Sequence, residues 1–357
     1  MSADGDALLL VRAPAPGALP HGGDLAAAEQ HYGKPADGWL DLSTGINPRA
    51  YPTRAAGARH YAQLPQRDQE MRLLAAASRH FDLPAGARLV AAPGTQALIQ
   101  WLPHLFERRR VAILAPTYGE HEHAWALGGH AVRRVASLDD AAAEIVILAN
   151  PNNPDGRRIA PTELVPLART LAARGGLLIV DEAFADPHPE LSTLAASGMP
   201  GLLALRSFGK FFGLAGLRLG FAACEPALAT RLAAALGPWS VSGPALAVAA
   251  AAYGDERWIA ATRTRLARDA ARLDRLLAMH GLVRRGGCAL FGLYALDSAA
   301  DLADHLGRSG ILLRRFADEP RWLRFGLPGR AADWRRLAAA LAEWARRGLR
   351  KEARHDG

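Results

Sequence analysis

Residues 202–224 read LLALRSFGKFFGLAGLRLGFAAC, and their order decides the fold. Two apolar runs, LLAL at 202–205 and LGFAA at 219–223, bracket a turn that carries Ser207, Lys210 and Arg218. Runs of four or five residues that are apolar on both faces mark buried strands with helices on either side. Towards the N-terminus three more such runs follow the same rhythm: LLIV at 177–180, IVIL at 145–148 and VAIL at 111–114. Helical or loop segments separate them, which predicts an α/β domain built on a mostly parallel sheet.

After Pro244 the pattern changes. A long amphipathic helix is predicted over 245–280, then strands at 289–296, 311–316 and 322–326 alternating with helices at 299–308 and 331–347. This is a small α+β domain. At the other end, residues 1–20 are rich in Pro and Gly and read as an irregular arm. Asp24 is the expected N-cap of a short helix over 24–32, and DLSTGINPRAYPT at 41–53 reads as a loop that carries function or crosses between domains. The expected organisation is an arm and crossing loop over 1–50, a large domain over 51–243 and a small domain over 244–357.

Bulk composition narrows the function classes. At 357 residues, with 50% apolar and 22% charged side chains, the chain has the make-up of a soluble globular protein. No twenty-residue apolar span occurs, and Asp4 and Asp6 precede the short LLLV run, a poor secretory signal; a cytoplasmic protein with no membrane contact is expected. Cys224 and Cys288 have no metal-like spacing and read as inert thiols. The formal charge of +8 comes from arginines spread along helices with acids between them, which favours solvated helix faces over a nucleic-acid site. His121 and His123 flank Glu122 without a third ligand, so no metal site is expected.

The chemistry gathers at strand ends. A lysine beside a serine and a downstream arginine suits a cofactor that is both an aldehyde and a phosphate: the amine condenses with the aldehyde while hydroxyl and guanidinium hold the dianion. By itself S-x-x-K with an Arg is a weak pattern, equally a surface lysine beside a turn. Its company strengthens it. Pro93-Gly94-Thr95-Gln96-Ala97 opens a predicted helix whose N–H groups suit a phosphate. Tyr118 follows one strand and offers a ring to stack on a planar cofactor. Asn150-Pro151-Asn152-Asn153-Pro154-Asp155-Gly156 follows the next. Asp181 ends the strand 177–180, where a carboxylate can pair with a protonated pyridine nitrogen. Ligands bind at such C-terminal strand ends in open α/β sheets.

In this order the motifs resemble those of the class I/II aminotransferases over residues 40–330. The resemblance implies a pyridoxal 5′-phosphate (PLP) enzyme of transferase fold type I, a homodimer, with Lys210, Asp181 and Tyr118 as the catalytic set. It places Gly94, Thr95, Gln96, Ser207 and Arg218 at the cofactor phosphate, Asn153 at the ring 3-oxygen, and Arg324 of Trp-Leu-Arg-Phe-Gly at the substrate carboxylate. Two positions depart from the family pattern. Phe184 stands where such enzymes commonly have a tyrosine that also bonds the ring oxygen. Gln63-Leu64-Pro65 stands where an Arg-Tyr-Pro segment often sends a tyrosine to the partner's cofactor, with Tyr61 nearby.

Fold and cofactor leave the reaction open, because PLP accepts electrons from any bond broken at Cα. His21-Gly22-Gly23, the segment Asp41-Leu42-Ser43-Thr44-Gly45-Ile46-Asn47-Pro48, the Asp-Glu-Ala-Phe sequence and Arg314 are similar to the threonine-phosphate decarboxylase family of cobalamin biosynthesis, an offshoot of the histidinol-phosphate aminotransferase branch. That resemblance implies decarboxylation of L-threonine O-3-phosphate to (R)-1-aminopropan-2-yl phosphate. His21, Asn47 and Arg314 are then expected at the substrate phosphate, Arg324 at the carboxylate, and Gly22 and Asn153 also at the substrate. Transamination of histidinol phosphate or a related phosphorylated amine is the alternative. A substrate with several negative charges needs at least two cationic forks, which Arg314 and Arg324 supply.

Overall fold

The computed structural model describes residues 22–352. After a helix over Leu25–Tyr32 comes the two-residue strand β1 (Leu40–Asp41), then seven strands of one sheet: β2 (Arg88–Ala92), β3 (Arg110–Leu114), β4 (Ala131–Val135), β5 (Ile145–Ala149), β6 (Leu177–Asp181), β7 (Leu202–Ser207) and β8 (Gly220–Cys224). Their spatial order is β2-β8-β7-β6-β5-β3-β4. The run from β7 to β4 is parallel, and β8 is antiparallel to both neighbours.

Strand alternation explains the apolar runs. In β5 and β6, Ile145, Ile147, Leu177 and Ile179 pack into a core on one face of the sheet with Leu98 and Trp125. Their neighbours Val146, Leu148, Leu178 and Val180 pack into a second core with Leu164, Ala168 and Leu171. Successive side chains point to opposite faces, so a strand covered on both sides must be apolar throughout. Every residue of β5, β6 and β7 is buried.

The C-terminal part adds β9 (Val283–Cys288), β10 (Phe291–Ala295), β11 (Ile311–Leu312), β12 (Arg314–Arg315) and β13 (Trp322–Gly326). A four-stranded sheet runs β12-β13-β10-β9, antiparallel throughout. β1 pairs in parallel with β11, Leu40 opposite Ile311 and Asp41 opposite Leu312. The segment around residue 40 is therefore built into the C-terminal part of the molecule.

Several elements differ from the sequence expectation. The helix expected over 245–280 is two helices, Gly243–Tyr253 and Glu256–Ala278. Gly254 ends the first, and Asp255 caps the second by accepting from Trp258 N at 3.0 Å. The strand expected over 311–316 is β11 and β12, which belong to different sheets. β2, β4 and β9 were not expected; AVRRV and VRRGGC each carry an adjacent arginine pair and lie at sheet edges, where one strand face is solvated. Among the described residues no helix is long and apolar enough to cross a membrane.

A buried ion network ties these layers together. Arg206 Nη1 donates to Glu182 Oε2 at 3.2 Å, and Nη2 pairs with Asp186. Glu182 also accepts from Thr193 N at 2.6 Å and Ser192 Oγ at 2.6 Å. Burial alone raises the Asp186 carboxyl, but Arg206 and His80 more than offset it and hold the group below the usual carboxylate range. Replacing Arg206 strands two carboxylates in the interior, which costs about 3–5 kcal/mol. Urea unfolding of Arg206→Met is expected to show a loss of that size, well beyond the effect of Arg72→Met, whose ion pair with Asp68 lies on the surface.

Candidate active site

The C-terminal ends of β3, β5, β6 and β7 open into a cleft of about 1520 Å3, closed on the far side by β12 and β13. Lys210 stands at its floor, on the four-residue helix Phe208–Phe211 that follows β7 directly. Its Nζ lies 5.5 Å from the centre of the Phe184 ring. Burial, then the Arg324 cation, push the amine down to about 8, with Asp181 pulling the other way.

Asp181 ends β6 and is buried. One oxygen accepts from Ala183 N at 3.0 Å, and the other meets His121 Nε2 at 2.9 Å. His121 is buried on the helix Gly119–Leu127. In the sequence His121 stands out only as a possible metal ligand, because its contact with Asp181, sixty residues away, leaves no local pattern.

Gly94, Thr95, Ser207 and Arg218 line one side of the cleft. They meet because β2, β8 and β7 are neighbours, Ala92 and Ser207 both facing Gly220. Gly94 has φ 85°, and a Cβ there would come within 2.7 Å of Arg218 Nη2. Arg218 is itself left-handed at φ 51°, a conformation held in place by Nη1 donating to Ala215 O at 3.1 Å. Gln96 is engaged by protein at both ends of its amide: Nε2 donates to Glu120 at 2.7 Å, and Oε1 accepts from Tyr118 Oη at 3.2 Å. Burial, with the carboxylates of Glu120 and Asp181, lifts the Tyr118 phenol to about 12.

Two arginines face these groups. Arg324 is buried on β13; its Nη2 donates to Ser43 O at 2.8 Å, its Nη1 donates to Asn153 Oδ1, and its Nε is buried with no hydrogen-bond partner. Its guanidinium lies 5.1 Å from the centre of the Phe291 ring. Burial, then the charge of Arg314, lower it to about 10. Arg314 is the register partner of Arg324 across β12 and β13 and lines the cleft. Arg315 is tied to Asp304 at 3.1 Å.

The other expected residues divide. Gly22 lines the cleft edge, packed so closely on Ser43 that a Cβ would reach 2.9 Å from its carbonyl carbon. His21 lies outside the described residues. Asn47 is not brought to the cleft: it is buried behind it, with its amide spent on Phe211 O, Arg49 N and Arg265. Phe184 packs edge-on against Phe291 with ring centres 5.0 Å apart. Tyr61 is 72% exposed, away from the cleft.

The geometry has clear counterparts. Residues 50–341 match the model for aminotransferase class I and II. The chain is 44% identical to threonine-phosphate decarboxylase from Pseudomonas aeruginosa, over 90% of this chain and 97% of that one. It is 48% identical to threonine-phosphate decarboxylase from a Sinorhizobium species, with the same coverage. Among solved structures, histidinol-phosphate aminotransferase from Sinorhizobium meliloti, in complex with pyridoxal-5′-phosphate, superposes with a TM-score of 0.77 over 90% of this chain and 94% of that one. At 23% identity that likeness speaks to the fold, which is the type I fold of PLP-dependent transferases. A lysine after β7, an aspartate ending β6 and an arginine on a late strand are thus set on a framework shared along nearly the whole chain, and the chain belongs to the class I and II aminotransferase family.

Proposed function

We propose that this protein is a PLP-dependent decarboxylase acting on L-threonine O-3-phosphate, and that Arg314 and Arg324, set opposite each other above Lys210, select a substrate with an anionic group at each end. That pairing is the observation that carries the reading. Relatives named threonine-phosphate decarboxylase, at 44–48% identity over 90% of the chain, supply the reaction class.

The residues present fit the cofactor. An amine lowered to about 8 suits condensation with an aldehyde near neutral pH. Gly94 leaves the space in which the Arg218 guanidinium lies, and with Thr95 and Ser207 this corner would hold the phosphate. Asp181, fixed by His121, would hold the pyridine nitrogen, and Tyr118 would cover the ring. Asn153, its oxygen taken by Arg324, keeps its amide nitrogen as a donor for the ring 3-oxygen. When bound, PLP supplies a conjugated ring that accepts the electron pair left on Cα when a bond there breaks.

The chain's own residues then decide which bond that is. Arg324 would grip the carboxylate; with the Phe291 ring against the guanidinium and Phe184 in the lining of the cleft, loss of neutral CO2 would relieve a charge held in partly apolar surroundings. Arg314, with Gly22 at the cleft edge, takes the phosphate. Once CO2 has left, the Lys210 amine is the group placed to return a proton to Cα. The product is 1-aminopropan-2-yl phosphate. The homodimer belongs to the same proposal; Tyr61 and Leu64, both largely exposed, are surface that a second copy can cover.

Four outcomes are expected. Incubated with L-threonine O-3-phosphate and PLP, the protein releases CO2 with no 2-oxo acid present; strict dependence on 2-oxoglutarate, with glutamate formed, would instead establish a transaminase. Lys210→Ala abolishes turnover and the visible absorption of lysine-linked cofactor. The rate at which apoprotein takes up PLP rises with pH as the amine loses its proton, with a midpoint near 8 instead of the unperturbed 10.5. Removing the neighbouring cation in Arg324→Leu moves that midpoint upward, because an ammonium ion is then less disfavoured; stopped-flow absorbance across pH measures both.

A further inference from the structure

The stretch from Asp41 to Tyr51 touches both halves of the site in turn. Asp41 pairs with Leu312, Leu42 O accepts from Gly326 N at 2.7 Å, and Ser43 O accepts from Arg324. These residues are fixed to β11, which leads into Arg314, and to β13, which carries Arg324. Further on, Asn47 N donates to Lys210 O at 2.9 Å and Tyr51 N donates to Phe212 O at 2.8 Å, so the far end is fixed to the lysine turn. Between them Gly45 passes under the two phenyl rings, where a Cβ would come within 2.9 Å of Phe184 and 2.8 Å of Phe291.

The lysine turn needs outside support. A helix of four residues cannot hold itself, and its last carbonyls have no partners within it. Asn47 supplies donors to two of them: its main-chain N–H to Lys210 O, and its Nδ2 to Phe211 O at 2.8 Å. Its Oδ1 accepts from Arg49 N at 3.0 Å and from Arg265 Nη2 at 2.9 Å. An N–H only donates and a carbonyl only accepts, so the amide has one orientation. Gly213, at φ 69°, lets the turn close on this clamp; a Cβ there would stand 2.6 Å from Asn47 O.

We infer that Asn47 is a positioning residue for Lys210, clamping the carbonyls of Lys210 and Phe211 from a segment whose other end holds Arg324, and so fixing the distance between the amine and the carboxylate-binding guanidinium. This rests on the reading of Lys210 as the cofactor lysine. It also gives a reason for an asparagine in the Ile-Asn-Pro sequence that substrate contact does not.

Asn47→Asp tests it in the holoenzyme. The aspartate keeps the acceptor for Arg49 and gives Arg265 a charged partner, but it puts an oxygen in place of the donor to Phe211 O. The expected result is a Tm within a few degrees of wild type, a PLP dissociation constant raised about tenfold and a kcat lowered about tenfold, with KM for threonine phosphate within twofold. Asn47→Ala is expected to give the same kcat loss with a lower Tm, so a folding failure of one variant leaves the other to decide. A tenfold rise in KM at unchanged kcat would make Asn47 a substrate contact, and unchanged PLP affinity and kcat in a folded variant would show that the side-chain bond to Phe211 O does not position the lysine; either overturns the proposal. If wild-type protein develops no visible band with PLP, the reading of Lys210 fails first, and this inference with it.

Discussion

The site is organised around a charge problem: one amine must lose its proton readily while two guanidiniums beside it keep theirs. Lys210 solves it by burial and by the repulsion of Arg324, with Asp181 as the opposing charge. Arg324 keeps its charge, although burial and Arg314 lower it to about 10. Ser43 O and Asn153 accept two of its hydrogen bonds, and the Phe291 face lies against it. Everything else in the cleft has to respect that balance. A further cation would press on Lys210, and a carboxylate in place of Asn153 would neutralise Arg324.

The fold meets the problem by drawing its groups from separate layers. Lys210, Asp181 and the corner of Gly94, Thr95 and Ser207 come from C-terminal ends of strands in the large sheet; Arg314 and Arg324 come from the small one. Two aromatic side chains join them. Phe184 follows Asp181 by three residues and carries Lys210 on its face, and Phe291, from β10, carries Arg324. Their edge-to-face contact sets an apolar partition between the two cations, where water would otherwise screen each from the other.

Much of this was legible in the residues. Strands covered on both faces announce themselves as short apolar runs, so β3, β5, β6, β7 and β8 and the residues at their ends could be read directly. Edge strands could not: AVRRV and VRRGGC alternate too weakly to separate from loops. Contacts across the chain were equally silent. His121 meets Asp181 sixty residues away, with nothing local to mark either as the other's partner. Asn47 shows the opposite failure. Its motif attracted a ligand-binding role by likeness, whereas its hydrogen bonds go to the backbone of Phe211 and Arg49 and to the Arg265 side chain. Asparagine carries both a donor and an acceptor, so a sequence cannot tell whether ligand or main chain receives them.

The pairing of Leu40 with Ile311 has a consequence for how the molecule is assembled. On a growing chain the segment that braces the lysine turn is made early, but the strand that anchors it emerges only when synthesis nears completion. The large sheet can collapse beforehand, because all seven of its strands precede residue 225. At that stage β11, β12 and β13, with both arginines, are still unmade. The small sheet's side of the cleft is thus added last, when β1 finds its partner in β11.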